Sequence, residues 1–263
     1  MSFLSVFGMI IIAALLGGGS AGLLGVFVIG LRMPFIAVFS AHAALAGAVF
    51  GVLFGFSSSL SGFAGALVGA MLLGTLLRNR TVDPNAALGT LFSLMIGVAF
   101  LGIGLSQGSK SSMLGLMWGS LLFVTTGQII TMVILSSILV GFVILFEKEL
   151  KVLLFSRELA AMMMPEWIIF SMLLILAAGI ITINLEIVGG MLLYSLIANP
   201  AVAALRVARS YHAAMILSSI LGALSALGGF MTAYWFDLPV GACIVLFSSL
   251  IVGISFLLVR HPR

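Results

Sequence analysis

Long apolar stretches separated by short polar breaks run the length of the chain, at residues 4–30, 34–56, 62–77, 87–106, 128–146, 167–184, 186–205, 213–235 and 240–259. A helix needs roughly 20 apolar residues to cross the hydrocarbon layer, so this pattern predicts about eight or nine transmembrane helices. A further run, SMLGLMWGSLLFVTT at 112–126, is short and interrupted by Gly, Ser and Thr. It suits a re-entrant or interfacial helix better than a full crossing. The expected fold class is all-α: a polytopic membrane protein forming a single transmembrane domain over 1–263, with one short additional helix.

Composition agrees with this reading and removes alternatives. Charged residues make up 7% of the 263 and apolar residues 63%, whereas a soluble domain carries about 25% charged residues. No stretch remains for a sizeable soluble domain, so soluble machinery must come from partners. The first charge is Arg32, so the opening run lacks the basic start of a cleavable signal peptide and is expected to be the first span. The single Cys243 rules out a disulfide framework or a cysteine metal cluster within one chain.

The basic residues report topology. With the N-terminus outside, the nine runs place Arg32, Arg78, Arg80, Lys148, Lys151, Arg157, Arg206, Arg209, Arg260 and Arg263 on the inner side and leave only Lys110 outside. This follows the positive-inside rule and predicts a cytoplasmic C-terminus. Because these charges are scattered at the ends of apolar runs, they form no nucleic-acid surface. Many of the 31 glycines recur at four-residue spacing, as in Gly18 and Gly22 or Gly47, Gly51 and Gly55. Such spacing lets helix backbones approach closely in lipid.

Two enzyme signatures are absent: there is no GxxxxGK[ST] and no HExxH. Of three histidines, His212 and His261 fall near basic inner loops, while His42 lies eight residues into the second run. An ionisable side chain at that depth faces a bundle interior or a water-filled path; the plainer alternative is a neutral histidine hydrogen-bonded to a neighbouring helix. Asp83, just before Pro84, reads as a helix cap. Asp237, ahead of Pro239, reads as a turn residue ending a span. Glu186 falls between the sixth and seventh runs at the expected outer face, where it attracts cations or is solvated. The fifteen methionines are spread through the runs as packing residues.

LRMPFIAVFSAHAALAG resembles the signature of the permease subunits of the zinc, manganese and iron class of ATP-binding-cassette importers, through Arg32, Met33, Ala41, His42 and Gly47. DPNAALGTLFSLMIGVAFLGIGL is similar to the family's pattern at Asp83 and Gly89, IVGGMLLYSLIANPAVAAL at Gly189, Leu192 and Pro200, and YWFDLPVGACIVL at Asp237, Pro239 and Gly241. The order and spacing of these segments carry the resemblance over nearly the whole chain.

The resemblance implies a prokaryotic inner-membrane permease that holds no cofactor of its own and passes a divalent metal ion. Its implied partners are a second permease subunit, identical or paralogous, a cytoplasmic ATPase that binds the ATP, and an extracytoplasmic metal-binding protein. His42 would lie on the metal path, with Glu186 a second candidate. LLFSRELAAMMMPE, through Phe155 and Ala160, is similar to the family's segment that docks on the ATPase, with Ser156 as N-cap and Glu158 in the first turn. One departure matters: the family aspartate four residues before the histidine is here Val38, and the preceding glycine is Ala37. A lone imidazole cannot neutralise a dication. Either a carboxylate arrives from another helix or subunit, or the cargo is a softer ion or a metal chelate, for which Ser40, Asn184 and Asn199 are candidate neighbours. A secondary transporter with His42 as a proton relay is the competing reading; no inverted repeat is apparent to support it.

Overall fold

The computed structural model describes residues 3–78, 83–106, 124–189 and 193–258. Eight of its helices are long and apolar enough to cross a membrane. They are α1 (Phe3–Gly30), α2 (Phe35–Leu53), α3 (Ser58–Arg78), α4 (Pro84–Leu105), α5 (Thr126–Leu145), α8 (Glu166–Val188), α10 (Tyr211–Phe236) and α11 (Val240–Leu258). At 1.5 Å per residue, lengths of 19 to 28 residues give about 28–42 Å, enough for a hydrocarbon core of about 30 Å. Between them lie the short helices α6 (Glu147–Phe155), α7 (Arg157–Met163) and α9 (Leu193–Val207). Among the described residues there is no strand.

The seventh predicted run, 186–205, corresponds to α9, which has only 15 helical residues, about 22 Å. The run was expected to begin at 186, but α8 continues to Val188. What stops α8 is Gly189, whose φ of 94° is open to glycine and strained for other residues. The predicted helix at 112–126 lies outside the described residues except for its last turn at Val124–Thr126, where Thr125 caps α5 with Gln128 in a reciprocal capping box.

Helices α1, α9, α10 and α11 pack against one another, while α2 packs against α3 and α4. Helix α8 bridges the two groups by lying against α3, α2, α5 and α1. Glycine makes the tightest crossings possible. A Cβ on Gly22 would stand 2.3 Å from the Ser218 carbonyl oxygen, and one on Gly47 would stand 2.2 Å from that of Ser61. The Ser218 hydroxyl donates to the Gly22 carbonyl across the first of these at 2.5 Å. Gly51 also meets Ser61, as its spacing from Gly47 predicts, whereas Gly55 departs from the row and turns the chain with φ 77°.

The helix ends gather by charge. Gly30 at the end of α1, Leu154 of α6, Leu205 of α9 and Tyr211 of α10 line one cavity of about 350 Å³. The same end holds the α1–α2 turn with Arg32, which adopts φ 58°. Helix α3 runs antiparallel to α2, with Gly65 at Ala43 and Gly69 at Phe39, so α3 also ends there. We call this the basic end.

Candidate functional site

His42 is 8% exposed and lies about 10 Å along α2 from its first residue. Its Nδ1 is 2.8 Å from the Val38 carbonyl oxygen. A carbonyl only accepts, so Nδ1 carries the proton and Nε2 is left as the acceptor. Metal-ligating histidines are commonly oriented this way, one nitrogen anchored and the other presented. On the α4 side the ring stands edge-on to Phe92, with centroids 4.8 Å apart and planes at 83°. Val38, one turn before His42 on the same face, is half-buried.

Among the described residues there is no group of three or more His, Cys, Asp or Glu side chains that could hold a metal. Of the expected neutral neighbours, Asn184 donates to Ile180 O at 2.8 Å, and its Oδ1 faces Gly17. Asn199 donates from α9 to Ser248 and Ser249 of α11, at 2.9 and 3.1 Å. The Asn199 contacts tie α9 to α11, whereas the Asn184 hydrogen bond stays within α8.

The remaining motif residues shape the frame. Asp83 caps α4 by accepting from the Ala86 amide at 2.9 Å, with Pro84 in the first turn. Asp237 is the C-cap of α10 in a left-handed conformation, φ 51°, a region that Asp tolerates better than most residues. The turn continues through Pro239, whose carbonyl accepts from the Cys243 amide, and Gly241 is buried in α11. Pro200 sits buried inside α9, where it removes one helical hydrogen bond. Glu186 falls in the last turn of α8, and its side chain lies outside the described residues.

The segment beyond α5 forms the second feature. Ser156 accepts from the Leu159 amide at 3.3 Å and so caps α7, while its hydroxyl donates to Glu158 Oε2 at 2.6 Å. Ala160 is fully buried on the inner side of α7, whereas Phe155 and Met162 are 82% and 83% exposed and Met163 projects beside them. Contiguous large apolar side chains outside the spans are the mark of a binding surface. On α6, Glu147 accepts from Lys151 and from His212 at the start of α10. The Lys151 ammonium, with His212 second, holds the Glu147 carboxyl below its usual range.

Two features escaped sequence reasoning. Phe92 closes the α4 side of His42 from fifty positions away, with no motif to mark it. Arg157 of α7 pairs with Glu166 at the start of α8, Nη2 to Oε1 at 2.6 Å; opposite charges on either side of Pro165 were the available signal.

Comparison with known proteins matches this architecture. The chain is 27% identical over 255 residues to the manganese import system permease protein ScaB of Streptococcus parasanguinis, covering 96% of this chain and 90% of that one. It is 28% identical to the uncharacterized membrane protein slr2045 of Synechocystis, covering 93% and 88% respectively. A chain of PsaBC from Streptococcus pneumoniae, solved in complex with Fab, superposes with a TM-score of 0.84 at 24% identity, covering 95% of this chain and 91% of that one. The model of the ABC 3 transport family matches residues 5–259, and the chain belongs to that family.

Proposed function

We propose that this protein is the permease subunit of an ATP-driven importer for a divalent transition metal, with zinc, manganese and iron as the cargo class. The observation that carries the reading is a buried histidine in a metal-ligand tautomer, set in α2 of a bundle of the ABC 3 transport family. Metal import named in relatives such as ScaB supports the same class. Two permease subunits would enclose the path, so the unneutralised charge left by Val38 would be shared between two copies of His42 or met by ligands that travel with the metal. The basic end would face the cytoplasm, in keeping with the positive-inside rule, which puts the N-terminus outside.

The exposed face of α7 then meets an ATPase. Phe155, Met162 and Met163 would seat in an apolar groove of that subunit, and Ser156 would hold the helix in register. ATPase closure would move α7 and bias the bundle between outward and inward access. Substituting Phe155→Ser and Met162→Gln together should abolish co-purification of the ATPase, while the permease remains monodisperse in detergent. Retention of the ATPase by that variant would show that this face is not the docking surface.

A further inference from the structure

Resting on the ATP-driven importer reading, we propose that the ion pair between Arg157 and Glu166 is the rigid link that carries movement of α7 into the buried helix α8, and from there to α2. Arg157 is the first residue of α7 and Glu166 the first of α8. Both Nε, at 2.7 Å, and Nη2, at 2.6 Å, converge on the same carboxylate oxygen. The guanidinium also lies 4.3 Å from the centroid of Phe170, a buried ring one turn into α8. A planar cation held by a carboxylate and an aromatic face has little rotational freedom, and Glu166 sits at the helix end where the dipole favours an anion.

The other routes out of the segment are a short backbone link and an exposed ion pair. The chain between α7 and α8 is a two-residue link, Met164–Pro165, and both residues are non-helical. On α6 the pairing of Glu147 with Lys151 and His212 is exposed to solvent, where ion pairs contribute little. Glu166 is 11% exposed, so its pair is screened far less. Beyond Glu166, α8 packs against its neighbours, with Gly179 near Leu135 and Phe63 and Thr182 near Gly62. Packed interfaces of this kind shift as units. A displacement of α7 is therefore delivered to α8, which lies against α2, the helix bearing His42. Arg157 and Glu166 touch no cargo and act as positioning residues.

The test uses proteoliposomes containing the permease with its ATPase and binding protein, supplied in turn with zinc, manganese(II) and iron(II). Metal imported per ATP hydrolysed is the readout. Arg157→Ala and Glu166→Ala should each lower that ratio about tenfold, with ATP hydrolysis and assembly retained. The double variant should be no worse than either single variant, the signature of two residues acting as one unit. Arg157→Lys, which keeps the charge and loses the planar fork, should fall between. An unchanged ratio, additive losses, or variants that no longer assemble with the ATPase would overturn the link and leave the importer reading standing. Absence of ATP-driven uptake by the wild-type complex would overturn the importer reading and this inference with it.

Discussion

Replacing His42 with alanine is expected to lower ATP-driven metal uptake by about 100-fold, the upper range of losses seen when a metal site's support is removed. The effect is large because, among the described side chains, no carboxylate or second histidine lies in the middle of a span. The seven acids of the chain are Asp83, Glu147, Glu149, Glu158, Glu166, Glu186 and Asp237, and each lies at or near a helix end or in the segment beyond α5. Assembly should survive, since the histidine's recorded hydrogen bond is to Val38 on its own helix. His42→Gln, closer in volume, separates ligand loss from cavity formation; wild-type uptake by both variants would remove His42 from the path. Val38→Asp, in the same assay, places a carboxylate one turn away on the same face. It should shift competition among zinc, manganese and iron(II) towards the harder ions. An unchanged profile would mean that this face does not line the path.

The second large effect concerns the fold. Gly222→Ala should lower the thermal midpoint in detergent sharply, because the new Cβ would stand 2.1 Å from the Gly18 carbonyl oxygen. That atom is helix backbone and cannot swing aside, so α1 and α10 must separate. Their separation would also strain the Ser218–Gly22 hydrogen bond one turn away. Overpacking on this scale costs about 3 kcal/mol. Gly141→Ala is the control, since a Cβ there meets nothing within 4 Å and alanine favours the helix. Equal midpoints for the two variants would show that the α1–α10 crossing is looser than the distances indicate.

Spans were legible because lipid imposes length and polarity on every crossing. Asp83, Asp237 and Ser156 were legible because caps are local, decided within three or four residues. The end of α8 was misread for a related reason. Glu186 interrupts the apolar run and reads as a break, yet the helix continues past it until Gly189 takes a positive φ. A charge near a helix end does not unwind it; backbone stereochemistry does. The contact of His42 with Phe92 and the commitment of Asn199 to α11 depend on which helices become neighbours, and apolar periodicity leaves that order open. The pairing of Arg157 with Glu166 needed the bend at Pro165 as well as the charges.

The central claim is that this chain moves metal only when an ATPase drives it. The most direct measurement is uptake of zinc, manganese(II) and iron(II) into vesicles containing the permease, with and without its ATPase, and with the binding protein and ATP supplied in both cases. Uptake of at least one of these ions that appears with the ATPase and vanishes without it is the expected result. Uptake by the permease alone, driven by a proton or sodium gradient, would contradict the account.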